Sequence, residues 1–526
     1  MQSSCEWTAV APDEGCGVSQ GFEQTVMLAG EAETAALGER LSLWVRPGML
    51  VLLEGVLGAG KSTLARAFIR ALMKPDDVQD IPSPTFSLIQ TYDDTRVPVF
   101  HADLYRLRDA SEIDELGLEG WLSTHAGLVE WPELMGGVDA ASVLKVTLMG
   151  RGTSRTAQLI ATGDWVRALE RDKLLTSFLE TTPHAKSTRY FFEGDASSRR
   201  YEKLVAVTGE TCLLMDMPQR PDGPVVKYGK PYSQIAHLAE NITAVVAINK
   251  HLVSLGYSAP RVPAFDLVTG FGLIEPLGDK VFGRMLLAGE DMVEPLETAA
   301  AVLADMVDKP WPRDPEATAG VSHRVHDYDE QAQLIEVDLL PSWFIPHARG
   351  VEATDEQKQE FAAIWSSLLP LARSITPVWN IRDFHSPNLL WIPEREGLKR
   401  VGIIDSQDGL MGHPAYDLVS MAQDARVDIA PEMEDYIISH YMTLRMKKTG
   451  FDRSEFLTAY AVLGAQRATK ILGIFARLNM RDGKPAYLKH MPRVSRYLTR
   501  NLQHAALLPL KQWIATHLPE ALEVGR

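Results

Sequence analysis

Met49-Leu50-Val51-Leu52-Leu53-Glu54 runs directly into Gly55-Val56-Leu57-Gly58-Ala59-Gly60-Lys61-Ser62. The apolar run predicts a short buried strand of a parallel sheet. The glycines behind it have the spacing of a phosphate-binding loop, set between that strand and a helix over 61–73. Each residue type suits that chemistry. Gly55, Gly58, Ala59 and Gly60 let backbone N–H groups close around a β-phosphate, Lys61 reaches the β- and γ-phosphates, and the Ser62 hydroxyl ligates Mg²⁺. With Thr63 in the first helical turn, these residues make an expected ATP and Mg²⁺ contact set on an α/β P-loop NTPase domain.

Outward from the loop, strand-like and helix-like segments alternate. Strands are expected over 22–28, 86–92, 97–102 and 127–130, then over 143–148 and 156–161, the last two joined as a hairpin through 150–154. A helix is expected over 31–45. Residues 1–20 lack periodicity and read as a disordered leader, so the first domain is placed at 21–163. A connecting helix over 165–179 lies in a linker assigned to 164–184. Glu130 ends a strand and Asp103 follows one, at the carboxyl edge where open α/β sheets bind ligands. A carboxylate at the end of a buried strand is costly unless it meets a cation or polarises a water.

Three further runs accompany the loop: Ser83-Pro84-Thr85-Phe86, His101-Ala102-Asp103-Leu104-Tyr105-Arg106 and Val129-Glu130-Trp131-Pro132-Glu133. In this order and spacing, over about residues 22–163, they resemble the small ATPase subunit of the bacterial tRNA threonylcarbamoyladenosine complex. The resemblance implies that Ser62 and Glu130 are the Mg²⁺-associated pair, that Asp103 is essential for hydrolysis, and that Trp131 lies beside the nucleotide. Ser83 and Thr85 resemble a switch segment, and His101 is read as structural. The resemblance also implies protein partners, because the family hydrolyses ATP to reset a complex whose other subunits carry out the transfer.

A second constellation lies far downstream: Trp379-Asn380-Ile381-Arg382-Asp383-Phe384-His385-Ser386-Pro387-Asn388, then Ile403-Ile404-Asp405-Ser406-Gln407-Asp408. An aspartate, an asparagine five positions later and an aspartate at a strand end form the minimum set for kinase-type phosphoryl transfer. Asp383 is expected as the base, Asn388 and Asp405 as metal ligands. A β-rich lobe over 185–277, with a helix over 232–255, precedes a helical lobe over 278–526 that carries short strands at 389–392 and 401–404. That layout is an α+β bilobal kinase.

This run and Gly412-His413-Pro414-Ala415-Tyr416-Asp417-Leu418 resemble aminoglycoside phosphotransferase-like kinases. Asp195-Ala196-Ser197-Ser198-Arg199-Arg200-Tyr201, the strand over 213–217, Arg477-Leu478 and Arg481-Asp482-Gly483-Lys484 narrow the resemblance, over about residues 185–515, to the anomeric kinases of N-acetylmuramate and N-acetylglucosamine. The third strand offers Met215 where the wider kinase pattern has lysine. Ser197, Arg199 and Arg200 are therefore expected at the phosphates, a guanidinium replacing the missing ammonium. The adenine hinge is placed at Glu275 and Leu277, around Pro276, which lacks an N–H donor. Arg467, Lys470, Arg477 and Arg481 share one face of an expected helix that could hold an acidic amino sugar. An aminoglycoside or other small-alcohol kinase, and a regulatory pseudokinase, stay open for this half, as does an assembly module for the first.

The 526 residues suit several structural units. No apolar run approaches a membrane span, and the start lacks a secretory pattern. Cys5, Cys16 and Cys212 are too scattered for a disulfide framework or zinc site, which fits the cytoplasm. The formal charge is −16, with 24 acidic against 13 basic side chains in residues 1–170. Such a surface repels a nucleic-acid backbone, so direct tRNA binding by this chain alone is not expected.

Overall fold

The computed structural model describes residues 21–74, 80–109, 111–114, 116–135, 140–150, 154–192, 199–373 and 376–524. The expected leader, the hairpin tip at 151–153 and Ser197 lie outside these residues. The chain divides into two units, Met1–Glu193 with Glu202–Thr211 and Gly194–Tyr201 with Cys212–Arg526.

The first unit is built on seven strands: β1 (Phe22–Leu28), β2 (Met49–Glu54), β3 (Ile89–Tyr92), β4 (Val99–Asp103), β5 (Ala126–Glu130), β6 (Ser142–Met149) and β7 (Arg155–Ala161). Their order is β1-β7-β6-β2-β5-β4-β3. β2 runs parallel to β5 and β6, and β4 parallel to β5, while the outer pairings are antiparallel. The apolar β2 run is needed because both its faces are covered. Val51 and Leu53 pack with Leu37, Leu64 and Phe68 of the helices Glu31–Ser42 and Lys61–Leu72, and Leu50 packs on the other face with Phe100 and Val129. Burying each such side chain fully contributes about 1.5–3 kcal/mol. With β2, β5 and β4 parallel and adjacent, their carboxyl ends open at one edge.

One expected strand starts late. Leu88 has φ +64 and its N–H donates to Pro84 O at 2.7 Å, so residues 84–88 close as a turn and β3 begins only at Ile89.

Beyond the helix Asp164–Glu180 come β8 (Thr188–Phe192), β9 (Arg200–Val205), β10 (Thr211–Asp216), β11 (Val225–Lys227), β12 (Lys230–Pro231), β13 (Ala264–Asp266) and β14 (Phe271–Ile274). In the second unit β13, β14 and β10 form antiparallel neighbours in that order, and β11 and β12 make a separate ribbon. The helix Ile242–Ser254 contributes Ile242, Val245 and Val246 to an apolar cluster with Met215, Met217 and Ile274. The single helix expected over 232–255 is broken. A short turn of helix, Tyr232–Ile235, stops before His237, which has φ +52, and the Asn241 side chain then caps a new helix by accepting from Thr243 N–H at 3.0 Å.

The remainder is mostly helical, with three antiparallel strand pairs: β15 (Glu316–Thr318) with β16 (Val321–Ser322), β17 (Val378–Asn380) with β20 (Leu410–Gly412), and β18 (Leu389–Trp391) with β19 (Val401–Ile403). Its axis is the 28-residue helix Arg453–Met480, whose first turn is capped by Asp452 accepting from Glu455 N–H at 2.9 Å.

Candidate active sites

In the first unit, the open sheet edge gathers the residues expected there. Gly55 and Gly60 have φ of +137 and +103, a backbone that side chains rarely adopt. A Cβ on Gly55 would also lie 2.5 Å from Leu148 O, so the loop requires glycine. β-Register sets Glu130 directly opposite both Leu53 and Asp103. Ser62 Oγ, at the start of the helix, donates to Glu130 Oε2 at 2.8 Å, and His101 Nε2 meets Glu130 Oε1 at 3.0 Å. Ser62 and Glu130 are thus a pair of hard oxygen donors suited to Mg²⁺.

Asp103 is held by the segment read as a switch. Its Oδ2 accepts from Ser83 Oγ at 3.1 Å and Thr85 Oγ1 at 2.6 Å, and its Oδ1 from Tyr105 N–H at 3.1 Å. Lys61 Nζ donates to the carbonyls of Gly55 (2.6 Å) and Val56 (3.2 Å) and lies 3.3 Å from the centroid of the Trp131 ring. Burial pushes this ammonium below its usual pKa, against the opposing pull of Glu130, Glu133 and Asp103. Trp131 itself has φ +61 and packs on Tyr105 with ring centroids 4.8 Å apart.

In the second unit, β17 delivers a sharply turned loop. Arg382 has φ +72, and its N–H and that of Ile381 donate to Asp417, at 2.9 and 2.6 Å. Asp383 follows. Burial raises its pKa, but the charges of His385, Arg467, Lys470 and Arg382 outweigh burial and hold the carboxyl below its usual value. Asn388 Nδ2 donates to Asp383 O at 3.1 Å, which commits the amide nitrogen inward and leaves Oδ1 as the atom that would meet a metal. Asp405, another left-handed residue (φ +61), pairs with Arg199 at 2.5 Å. Its pKa is raised by burial and by Asp383 and Asp408, with Arg199 opposing. The next residue, Ser406, donates to Asn249 Oδ1 of the helix Ile242–Ser254 at 2.8 Å. Oxygen donors at Asn388 and Asp405 with a cation at Arg199 fit Mg²⁺ and a triphosphate.

The other expected residues separate. Met215 is buried in the lobe core. Arg200 begins β9. Glu275 N–H donates to Arg261 O at 2.9 Å, and Leu277 packs on Leu390 and Ile392, an apolar wall suited to a base. Of the four cations, Arg467 and Lys470 are buried beside Asp383, Arg477 lies 5.3 Å from the Tyr232 ring, and Arg481 turns aside to its neighbour Asp482 at 2.7 Å.

Sequence reasoning missed Glu336 in the helix Glu330–Val337. It is fully buried and takes four donors: Arg382 and Lys470 (2.7 Å) on one oxygen, Tyr328 and Gln466 (3.0 Å) on the other. Burial would raise its pKa, but Lys470 and Arg382 hold it at about 2. No local motif marks it. Asp417 lay inside a quoted run yet had no assigned role.

Comparison with known proteins agrees with both halves. The family described as threonylcarbamoyl adenosine biosynthesis protein TsaE matches residues 28–157, and the phosphotransferase enzyme family matches residues 190–455. An N-acetylmuramate/N-acetylglucosamine kinase of Caulobacter vibrioides is 34% identical over 360 residues, 66% of this chain and 97% of that protein. One of Neisseria meningitidis is 30% identical over 366 residues, 68% of this chain and 99% of that protein. A tRNA threonylcarbamoyladenosine biosynthesis protein TsaE of Rickettsia conorii is 33% identical over 177 residues, 34% of this chain and 98% of that protein. The chain belongs to both families, TsaE through its N-terminal part and the phosphotransferase enzyme family through the rest, and is an enzyme with an ATPase half and a phosphotransferase half.

Proposed function

We propose that this chain carries two ATP-consuming activities in the cytoplasm: hydrolysis that supports threonylcarbamoylation of tRNA adenosine, and phosphorylation of the anomeric hydroxyl of N-acetylmuramate or N-acetylglucosamine, as in cell-wall sugar recycling. The observation that carries the second is the grouping of Asp383, Asn388, Asp405 and Arg199 in a unit similar, over nearly its whole length, to amino-sugar kinases. Asp383 is the catalytic residue that accepts the acceptor hydroxyl proton. The freed oxygen then bonds to the γ-phosphorus as the bond to the β-phosphate oxygen breaks, its electron pair leaving on ADP. Asn388 and Asp405 would hold Mg²⁺, which neutralises charge on the phosphates. Arg199 would bind phosphate oxygens in place of the missing lysine, and Glu275 and Leu277 would frame adenine. Arg467 and Arg477 would meet a sugar carboxylate, while Arg481 is paired with Asp482.

In the first half, Ser62 and Glu130 would hold the metal, and Asp103, tied to Ser83 and Thr85, would couple hydrolysis to the switch segment. The acidic charge favours protein subunits of the tRNA-modifying machinery as partners over tRNA itself. Among the described residues, no helix is long and apolar enough to cross a membrane.

The test is ATP turnover by the full chain with N-acetylmuramate, N-acetylglucosamine or an aminoglycoside, in wild type and Asp383→Asn. Sugar-stimulated turnover that falls by about 10²-fold or more in the variant is expected. Stimulation by the aminoglycoside alone, or by none of the three, would sink the amino-sugar assignment.

A further inference from the structure

The loop that presents Asp383 turns through a left-handed residue with a long side chain, a conformation that must be held from outside. Its backbone is held by Asp417, which accepts from the Arg382 N–H and from that of Ile381. Its side chain is held elsewhere: the Arg382 guanidinium reaches Ala236 O at 3.0 Å with one nitrogen and Glu336 with the other. Glu336 in turn is fixed by Lys470, Gln466 and Tyr328, from the helix Arg453–Met480 and the segment before its own helix.

We propose that Glu336 is a positioning residue for phosphoryl transfer, setting the Arg382 turn that aims Asp383 and neutralising two of the cations that surround it. This rests on the reading of Asp383 as the base. The geometry gives Glu336 two roles at once. Through Arg382 it fixes the peptide next to Asp383. By pairing with Arg382 and Lys470 it also keeps those charges from collapsing onto Asp383, the nearby carboxylate on which both already act. A buried carboxylate with four donors and no solvent contact leaves, once removed, two uncompensated buried cations.

The full chain and its Glu336→Gln variant are compared for N-acetylmuramate-stimulated turnover, for ADP affinity by calorimetry and for melting temperature. The expected result is a kcat at least 30-fold lower per folded molecule, with ADP affinity within threefold of wild type. Adding Lys470→Met removes one uncompensated cation and is expected to recover kcat at least threefold. If Glu336→Gln does not fold, Arg382→Lys decides: an ammonium lacks the rigid fork whose two terminal nitrogens reach Ala236 O and Glu336 separately, so kcat should fall at least tenfold with ADP affinity unchanged. Unchanged kcat in Glu336→Gln overturns the role. So does parallel loss of kcat, ADP affinity and melting temperature with no recovery in the double variant, and so does wild-type kcat in Arg382→Lys. A wild-type chain that ignores N-acetylmuramate but phosphorylates another alcohol sinks only the acceptor assignment, and the Glu336 comparison then runs, with the same expectations, on that alcohol.

Discussion

His413 is buried at the end of β20, where its Nδ1 accepts the Ala415 N–H at 3.1 Å. An accepting Nδ1 requires the neutral ring, and burial lowers its pKa to about 4. The unfolded chain takes up a proton near pH 6.5 that the folded chain refuses until about pH 4, so the stability from this residue is complete above pH 6.5 and is lost as pH falls through that window. The loss by pH 5 is on the order of 2 kcal/mol. His413→Asn keeps an acceptor for Ala415 but cannot titrate, so its melting temperature should drop less than that of wild type between pH 7 and pH 5. Equal drops would show that other groups set the acid limit. At this scale the sequence was legible where chemistry is local. Asp383 and Asn388 share one loop, and Ser62 follows the glycines directly. Glu336 and Asn249 were not legible, because each meets its partner only after distant helices pack, and neither sits in a pattern that spacing can reveal.

Helices and strands obey the same division. The alternating strand and the connecting helix were read close to their observed ends, as β1 and the helix Asp164–Glu180 show. The helix expected over 232–255 broke because periodicity alone cannot see that Asn241 offers a better start through its side chain than an interior position would. The 84–88 turn was hidden for a similar reason: Leu88 adopts a left-handed conformation that its residue type does not announce. Packing between elements was equally invisible. Gly473, within Arg453–Met480, lets that helix approach the backbone at Leu339, where a Cβ would lie 2.4 Å from the carbonyl carbon. Since the obstacle is backbone, relief requires moving a helix. Gly473→Ala is expected to destabilise the second unit by about 1–3 kcal/mol, despite alanine's higher helix propensity. A urea midpoint lowered without change in m would show it, whereas a raised midpoint would mean that the approach is looser than these distances imply.

For the whole molecule, the two sets of residues proposed to handle phosphate stand on different supports. The first depends on parallel strands whose carboxyl ends meet at one edge, so that β-register alone brings Glu130 to Asp103. The second depends on a turned loop braced by helices. Neither set contains a residue of the other, and each was recognisable in sequence because its motifs are short. The sheet order and the bracing residues were not recognisable, since they express long-range pairing. This separation predicts a crossed pattern of defects. Glu130→Gln keeps the size of the side chain but removes the charge that faces Ser62 and would meet Mg²⁺, so ATP hydrolysis by the first half should fall by about 10²-fold or more. The same chain should phosphorylate its sugar at the wild-type rate. Asp383→Asn should do the reverse, losing sugar phosphorylation while still supporting tRNA threonylcarbamoylation in cells that lack their own TsaE. Measuring both activities in both variants separates three cases. Crossed defects mean two independent enzymes, and loss of both activities in either variant means that one half depends on the chemistry of the other. A Glu130→Gln chain that still supports tRNA modification would mean that the first half acts by assembly rather than by hydrolysis.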